Sequence, residues 1–259
     1  MTRAVKKKLK AIAENTKLVY DAGVEIGKAE GGGGNTEQIL DEFASTLQLG
    51  GARTDFSNMF KNSTITDETI GEIFARWNST IIRANYMFKD AKNLQEGLYT
   101  DVLDFSQCVT LLEAFSGSGV TKLKKIDARA TMSGFNGMAS MFMSCKNLES
   151  IDEFYPSLNT KFMATFYACT NLVKVIFMSE IAVDGLAFNF CSKLNKESIE
   201  SVFTNLSDTT TGLTVIFSPT SVNKAFETSE GANDGLTSPE WLALVGTKPN
   251  WNIAFKEGA

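Results

Sequence analysis

Two stretches of the chain decide its fold: Ser140-Met-Phe-Met-Ser-Cys-Lys-Asn-Leu-Glu-Ser-Ile151 and Ala164-Thr-Phe-Tyr-Ala-Cys-Thr-Asn-Leu-Val-Lys-Val175. In both, a cysteine follows the phenylalanine by three residues and a leucine follows it by six. The same spacing returns at Phe188, with Cys191 and Leu194. The pattern predicts a unit made of a short helical turn ending in Phe, a tight corner, and then a short strand.

Phenylalanines extend this repeat over most of the chain. They occur at positions 60, 88, 115, 142, 166 and 188, and the drift in their spacing indicates small insertions in loops. We therefore predict an α/β repeat solenoid, leucine-rich-repeat-like, with a short helix and a short strand per repeat and an N-terminal α-helix. The predicted strands, which form one parallel sheet, are Leu123–Ile126, Leu148–Ile151 and Leu172–Val175.

The cysteines fit a structural role in this repeat. Cys145, Cys169 and Cys191 share one offset from the Phe, which predicts a buried and reduced ladder of small hydrophobic side chains. The fourth, Cys108, makes no CxxC pair with any of them, so a zinc site is not expected.

The repeat resembles a known family. The pattern Met-Phe-x-x-Cys-x-x-Leu-x-x-Ile is similar to the BspA-like group of bacterial leucine-rich repeats. The ending, with a helix over 195–208, a strand at Leu213–Phe217 and Lys248-Pro-Asn-Trp251, resembles the closing unit of repeat proteins encoded by phages and prophages of gut Firmicutes. In that family a Lys-Gly-Trp stretch caps the solenoid, and here Pro249-Asn250 replaces the Gly. The opening 13–23 with its glycine run resembles the N-terminal segment of such phage proteins.

Apolar and small residues near the N-terminus recur at alternating spacings of four and three, which is a heptad seam. β-branched residues at its d positions favour three or four strands, so we predict a homotrimer in which the segment also contacts other virion proteins. A single amphipathic helix packed on its own domain is the alternative. The predicted oligomerisation residues are Val5, Leu9, Ile12, Val19 and Ile26.

The predicted domain order follows from these segments. An N-terminal amphipathic or coiled-coil helix (1–30) is joined by a glycine hinge (31–34) to a helical cap and degenerate first repeat (35–84). Its helices are expected from Asn35 and over Asp67–Ala84. The leucine-rich-like repeats (85–217) and a C-terminal cap (218–259) follow. Ser238 and Pro239 predict the N-cap and first residue of a last helix.

Composition narrows the function classes. The 259 residues contain no histidine, which excludes His-based catalysis, and the net charge of −5 argues against a nucleic-acid partner. No apolar run is long enough for membrane insertion. The glycine-rich stretch 116–122 lacks the spacing of a phosphate-binding loop, so we expect a surface loop. We predict no enzyme activity, no cofactor and no metal.

The strand register predicts which side chains face outward. Because the Leu and Ile of each strand must face the core, charged neighbours and one tyrosine face solvent on successive rungs. A merely solvated face is the alternative. The candidate ligand-binding residues are Lys125, Asp127, Arg129, Asp152, Glu153, Tyr155 and Lys174.

Two functions fit this surface. The first is a virion protein made in the bacterial cytoplasm without a signal peptide, at the tail, baseplate or head-surface fibre, which attaches to a host surface protein or glycan. The second is a bacterial cell-surface repeat adhesin that binds host protein or glycan.

Overall fold

The computed structural model describes residues 55–67, 70, 81–95, 103–132, 137–227 and 235–258. The predictions for the N-terminal helix, the glycine hinge and the helix from Asn35 lie outside these residues. The named elements are β1 (Lys122–Asp127), β2 (Ser150–Tyr155), β3 (Lys174–Phe177), β4 (Leu186–Phe188), α1 (Lys196–Asn205), β5 (Leu213–Phe217), α2 (Pro219–Ala225), a 3-10 turn (Gly235–Thr237), α3 (Pro239–Gly246) and β6 (Trp251–Phe255).

Strands β1, β2 and β3 form a parallel sheet in that order. Leu123 pairs with Ile151, and Ile151 pairs with Val175, and all three side chains are buried. β2 and β3 begin two residues later than predicted. The reason is local: the N–H of Leu148 donates to the Cys145 carbonyl at 3.1 Å, which closes a turn before the strand starts.

Phe188 lies in strand β4, whereas the segments around Phe60, Phe88, Phe115, Phe142 and Phe166 are turns and not helices. Each consists of three overlapping turns, and the third residue of the first and last turn has a positive φ, which is the requirement of a type II turn. These turn segments cover 56–63, 84–91, 111–118, 138–145 and 162–169. Their positive-φ residues are Asn58, Asn62, Tyr86, Asp90, Glu113, Gly117, Ser140, Ser144, Ala164 and Ala168.

Consecutive turn segments are joined by hydrogen bonds and by stacked rings. Phe115 donates its N–H to the Met141 carbonyl at 2.9 Å, and Phe142 donates to Thr165 at 3.0 Å. Neighbouring phenylalanine rings lie 5.1–5.7 Å apart at interplanar angles of 12–27°, which is offset stacking. This buried Phe ladder contains Phe60, Phe88, Phe115, Phe142, Phe166 and Phe188.

The corners between turn segment and strand carry a second ladder with the opposite direction. Here the later residue donates to the earlier one: Glu149 to Thr121 at 2.7 Å, and Val173 to Glu149 at 2.9 Å. Asn195 continues the series by donating to Val173 at 2.8 Å. The turn segments donate toward the C-terminal end of the stack, and the corners donate toward its N-terminal end.

Helix α1 covers the edge of the first sheet. Its N-cap Asn195 accepts from the Ser198 N–H. The hydroxyl of Ser198 accepts from the Val175 N–H at 2.9 Å, and Asn205 donates to the Phe177 carbonyl at 2.8 Å. Side chains of α1 therefore satisfy groups that a fourth strand would otherwise pair.

A second parallel sheet, in the order β4-β5-β6, closes the described part of the chain. Trp251 at the start of β6 donates its indole N–H to the Ser207 carbonyl at 2.8 Å. Lys248 reaches the Leu206 carbonyl at 2.7 Å and Asp208 at 2.8 Å, so Lys248 and Trp251 both fasten the loop after α1. The predicted N-cap of the last helix is confirmed, because Ser238 accepts from the Trp241 N–H.

The helix predicted over 67–84 lies mostly outside the described residues, and it does not reach Ala84. Residues 81–84 are not helical, and Arg83 forms parallel bridges with Asp55 and Thr110. Of the helices described, none has the length and apolar character needed to cross a membrane.

Candidate binding surface

The first sheet brings the seven predicted site residues to neighbouring positions. Lys125 lies opposite Glu153 in the register of β1 and β2, and Asp127 lies opposite Tyr155. Arg129 follows β1 by two residues and turns back toward Tyr155. Lys174 begins β3 opposite Ser150. The prediction that these residues bind a ligand is a separate matter from their placement, and it stays a prediction.

The strand pattern predicts that Asp127 faces solvent, and this prediction is wrong because the side chain is buried. Its side chain is 4% exposed, and the carboxylate accepts from Arg129 Nε at 3.0 Å and from Nη2 at 2.6 Å. Lys124 and Lys125 are both exposed and Ile126 and Asp127 are both buried, so burial along β1 does not alternate strictly, and the contact with Arg129 accounts for the burial of the Asp127 carboxylate. Burial raises the pKa of the Asp127 carboxyl, but the hydrogen bonds and charge of Arg129 outweigh it and hold the pKa below its usual value.

Tyr155 is the centre of a cation–aromatic cluster. Lys125 Nζ lies 5.2 Å and Arg129 Cζ 4.8 Å from the centroid of the ring, which is within the range of cation–π attraction. The tyrosine hydroxyl donates to Glu153 Oε2 at 3.1 Å. Burial, the bond to Glu153 and its negative charge raise the pKa of Tyr155, so the hydroxyl remains a donor at neutral pH.

Lys174 belongs to a second, looser group on the same sheet. Its Nζ lies 3.6 Å from Asp152 and 3.8 Å from Glu197. Glu197 comes from the first turn of α1, and sequence reasoning missed it because the strand register contains no information about the helix that follows. Both contacts are exposed ion pairs, which hold side chains only weakly.

The cysteines have structural surroundings. All four are free and buried, as the sequence predicts for the ladder. Cys145 Sγ donates to the Phe115 carbonyl at 2.9 Å and Cys169 Sγ to the Phe142 carbonyl at 3.0 Å, so each thiol bonds to the preceding turn segment. Burial raises the pKa of Cys145 to about 12, which keeps the thiol protonated and unreactive at neutral pH.

The glycine-rich stretch 116–122 is explained by packing. Gly117 occupies a positive-φ position of its turn segment, with φ of +66°. A Cβ on Gly119 would lie 2.0 Å from the Lys92 carbonyl oxygen, so no larger residue fits. Within the described residues, no group of three Cys, Asp or Glu side chains is placed to hold a metal ion.

Comparisons with known proteins do not extend these observations. No protein-family model, curated protein or solved structure matches the chain.

Proposed function

We propose that this chain is a non-enzymatic structural and binding protein of a phage or phage-like particle, built as a leucine-rich-repeat-like solenoid that presents its sheet for host attachment. The observation that carries this proposal is the cluster of Lys125, Tyr155 and Arg129 on the first sheet. Charged and aromatic side chains that hold each other in place on a parallel sheet are suited to contact a large partner. Repeat stacks use such extended surfaces for macromolecular ligands.

Support for the particle comes from the sequence resemblance of the closing unit and the N-terminal segment to phage-encoded repeat proteins. The heptad residues Val5, Leu9, Ile12, Val19 and Ile26 support attachment of the protein, as a homotrimer, to other virion proteins. The alternative, a cell-surface adhesin, would use the same sheet. Proteomics of purified particles distinguishes the two: the protein is expected in the particles, and an adhesin in the cell-envelope fraction.

The binding role is tested with the full chain, labelled and applied to intact cells of candidate hosts. The double variant Lys125→Ala/Tyr155→Ala removes the lysine and the ring from the sheet. The matched control is Lys61→Ala/Tyr86→Ala, because Lys61 Nζ lies 5.3 Å from the Tyr86 ring on the turn segments.

We expect the first variant to lose most cell binding while the control retains it. Circular dichroism and thermal unfolding verify that both variants are folded. Equal binding by the wild type and both variants would show that this sheet is not the attachment surface.

A further inference from the structure

Arg129 is held in place and still has unused donors. Two of its five guanidinium N–H groups, one on Nε and one on Nη2, bind the buried Asp127 carboxylate. The Arg129 side chain is 57% exposed, so the remaining N–H groups are accessible from solvent. A guanidinium fixed in one orientation loses less conformational entropy when it binds a planar anion.

The charge around Arg129 favours a single anionic group. Lys122, Lys124 and Lys125 are exposed on β1 and supply positive charge, whereas Asp127 and Arg129 neutralise each other. The next rung carries Asp152 and Glu153, which would repel a continuous polyanion laid across the strands. One carboxylate between Lys125 and Arg129 meets two cations, and the neighbouring acid Glu153 already accepts a hydrogen bond from the Tyr155 hydroxyl at 3.1 Å.

The composition of the surface favours a glycan over a protein. The exposed side chains of β1 and β2 between Lys122 and Tyr155 are charged. The large exposed apolar side chains lie outside these two strands, at Met132 and Leu158 in loops and at Val173 and Met178 on either side of β3. Protein interfaces have cores depleted of Lys, Asp and Glu and depend on apolar anchors. A sugar acid needs charged donors and acceptors beside one aromatic ring.

We propose that Arg129, with Lys125 and Tyr155, binds the carboxylate of an acidic sugar on a host glycan, and that Asp127 is a positioning residue that orients Arg129. This inference rests on the proposed function, since it names the ligand of the same surface. The sugar hydroxyls would face Glu153 and Asp152, which accept hydrogen bonds.

The test uses the full chain and two sugars that differ only in the carboxylate, methyl glucuronide and methyl glucoside. Binding is followed by NMR titration of the Tyr155 ring signals. We expect millimolar binding of the glucuronide and at least about tenfold weaker binding of the glucoside, because a charge-assisted bidentate contact is lost. Arg129→Lys keeps the positive charge and the ion pair with Asp127 but loses the planar guanidinium that can bind a carboxylate through two N–H groups. This variant should lose most of the preference for the glucuronide over the glucoside.

Asp127→Asn tests the positioning role. The Nε–H resonance of Arg129 should shift, because the Asn side chain has one acceptor oxygen where the carboxylate has two. The preference for the glucuronide should fall toward that of Arg129→Lys. Lys61→Ala is the control and should change neither. Equal affinity for both sugars, or unchanged discrimination in Arg129→Lys, would overturn the proposal.

Equal or tighter binding of an acetylated and amidated glutamate would overturn the assignment to a glycan. These outcomes are separable from the proposed function. If the Lys125→Ala/Tyr155→Ala variant loses cell binding but the two sugars bind equally, only the carboxylate inference fails. If this variant and its control both still bind cells, the sheet is not the attachment surface.

Discussion

Ala164 provides a clean test of the turn segments because its side chain is exposed and its φ is +55°. A residue with a Cβ in this left-handed region costs about 1–2 kcal/mol, and glycine removes that cost. Glycine also gives the unfolded chain more freedom, which costs about 0.4–1 kcal/mol. We therefore expect Ala164→Gly to raise the free energy of unfolding by about 0.5 kcal/mol. Ala164→Val should lower it by at least about 1 kcal/mol, because a β-branched residue fits this region poorly.

The matched control is Ala243, which is also exposed but lies within helix α3. There the sign reverses, and Ala243→Gly should cost about 1 kcal/mol through lost helix propensity. Urea unfolding followed by tryptophan fluorescence and circular dichroism measures both changes, with equal m-values as the criterion of comparison. If Ala164→Gly destabilised the protein as much as Ala243→Gly, the left-handed backbone of the turn segments would be refuted.

Four further outcomes are expected. Cys169→Ser should cost only about 1 kcal/mol, since the hydroxyl retains the Phe142 carbonyl as acceptor; a loss above about 3 kcal/mol in urea unfolding would contradict this. Trp251→Phe should lower the free energy of unfolding by about 1–3 kcal/mol by leaving the Ser207 carbonyl without its indole donor, and an unchanged urea midpoint would speak against that bond. Burial raises the pKa of Glu257, but bonds from Thr220 and Ser218 outweigh it and lower the pKa. Its stabilising effect is therefore full above the ordinary glutamate pKa and lost as pH falls through the folded value, and Glu257→Gln should flatten this acid limb of a thermal-unfolding series. Deleting residues 1–30 should convert a homotrimer into a soluble monomer in light scattering, whereas a monomeric full-length chain would contradict the heptad prediction.

The parts of the fold that follow from side-chain periodicity could be predicted from the sequence. The six phenylalanines and the strands after the corners leave apolar residues at fixed offsets, and burial makes those offsets visible. The backbone of the turn segments could not be predicted. Asn58 and Asn62 tolerate a positive φ, but Glu113 and Tyr86 adopt it too, and nothing in those residue types indicates a left-handed conformation.

Of the candidate surface, the sequence predicts the exposure of some residues correctly and that of Asp127 wrongly. Placing the Leu and Ile of each strand in the core correctly predicted that Lys125 and Asp152 are exposed. It failed at Asp127, which is buried next to the buried Ile126 because Arg129, two residues further on, pairs with its carboxylate. The Arg129 fork then stabilises the buried carboxylate, and a pairing between residues two apart leaves no periodic trace in the sequence.

The two backbone ladders of opposite direction bear on how such a chain changes length. The Phe142 N–H donates forward to the Thr165 carbonyl, and the Val173 N–H donates back to the Glu149 carbonyl. Each boundary between these neighbouring repeats therefore has donors and acceptors on both sides. If a segment that begins and ends at equivalent positions of two repeats is duplicated or deleted, the new boundary has the same matching backbone donors and acceptors. Recombination within the gene could thus lengthen or shorten the exposed face in whole steps, while the tight packing around Gly119 leaves no space for a side chain at that corner.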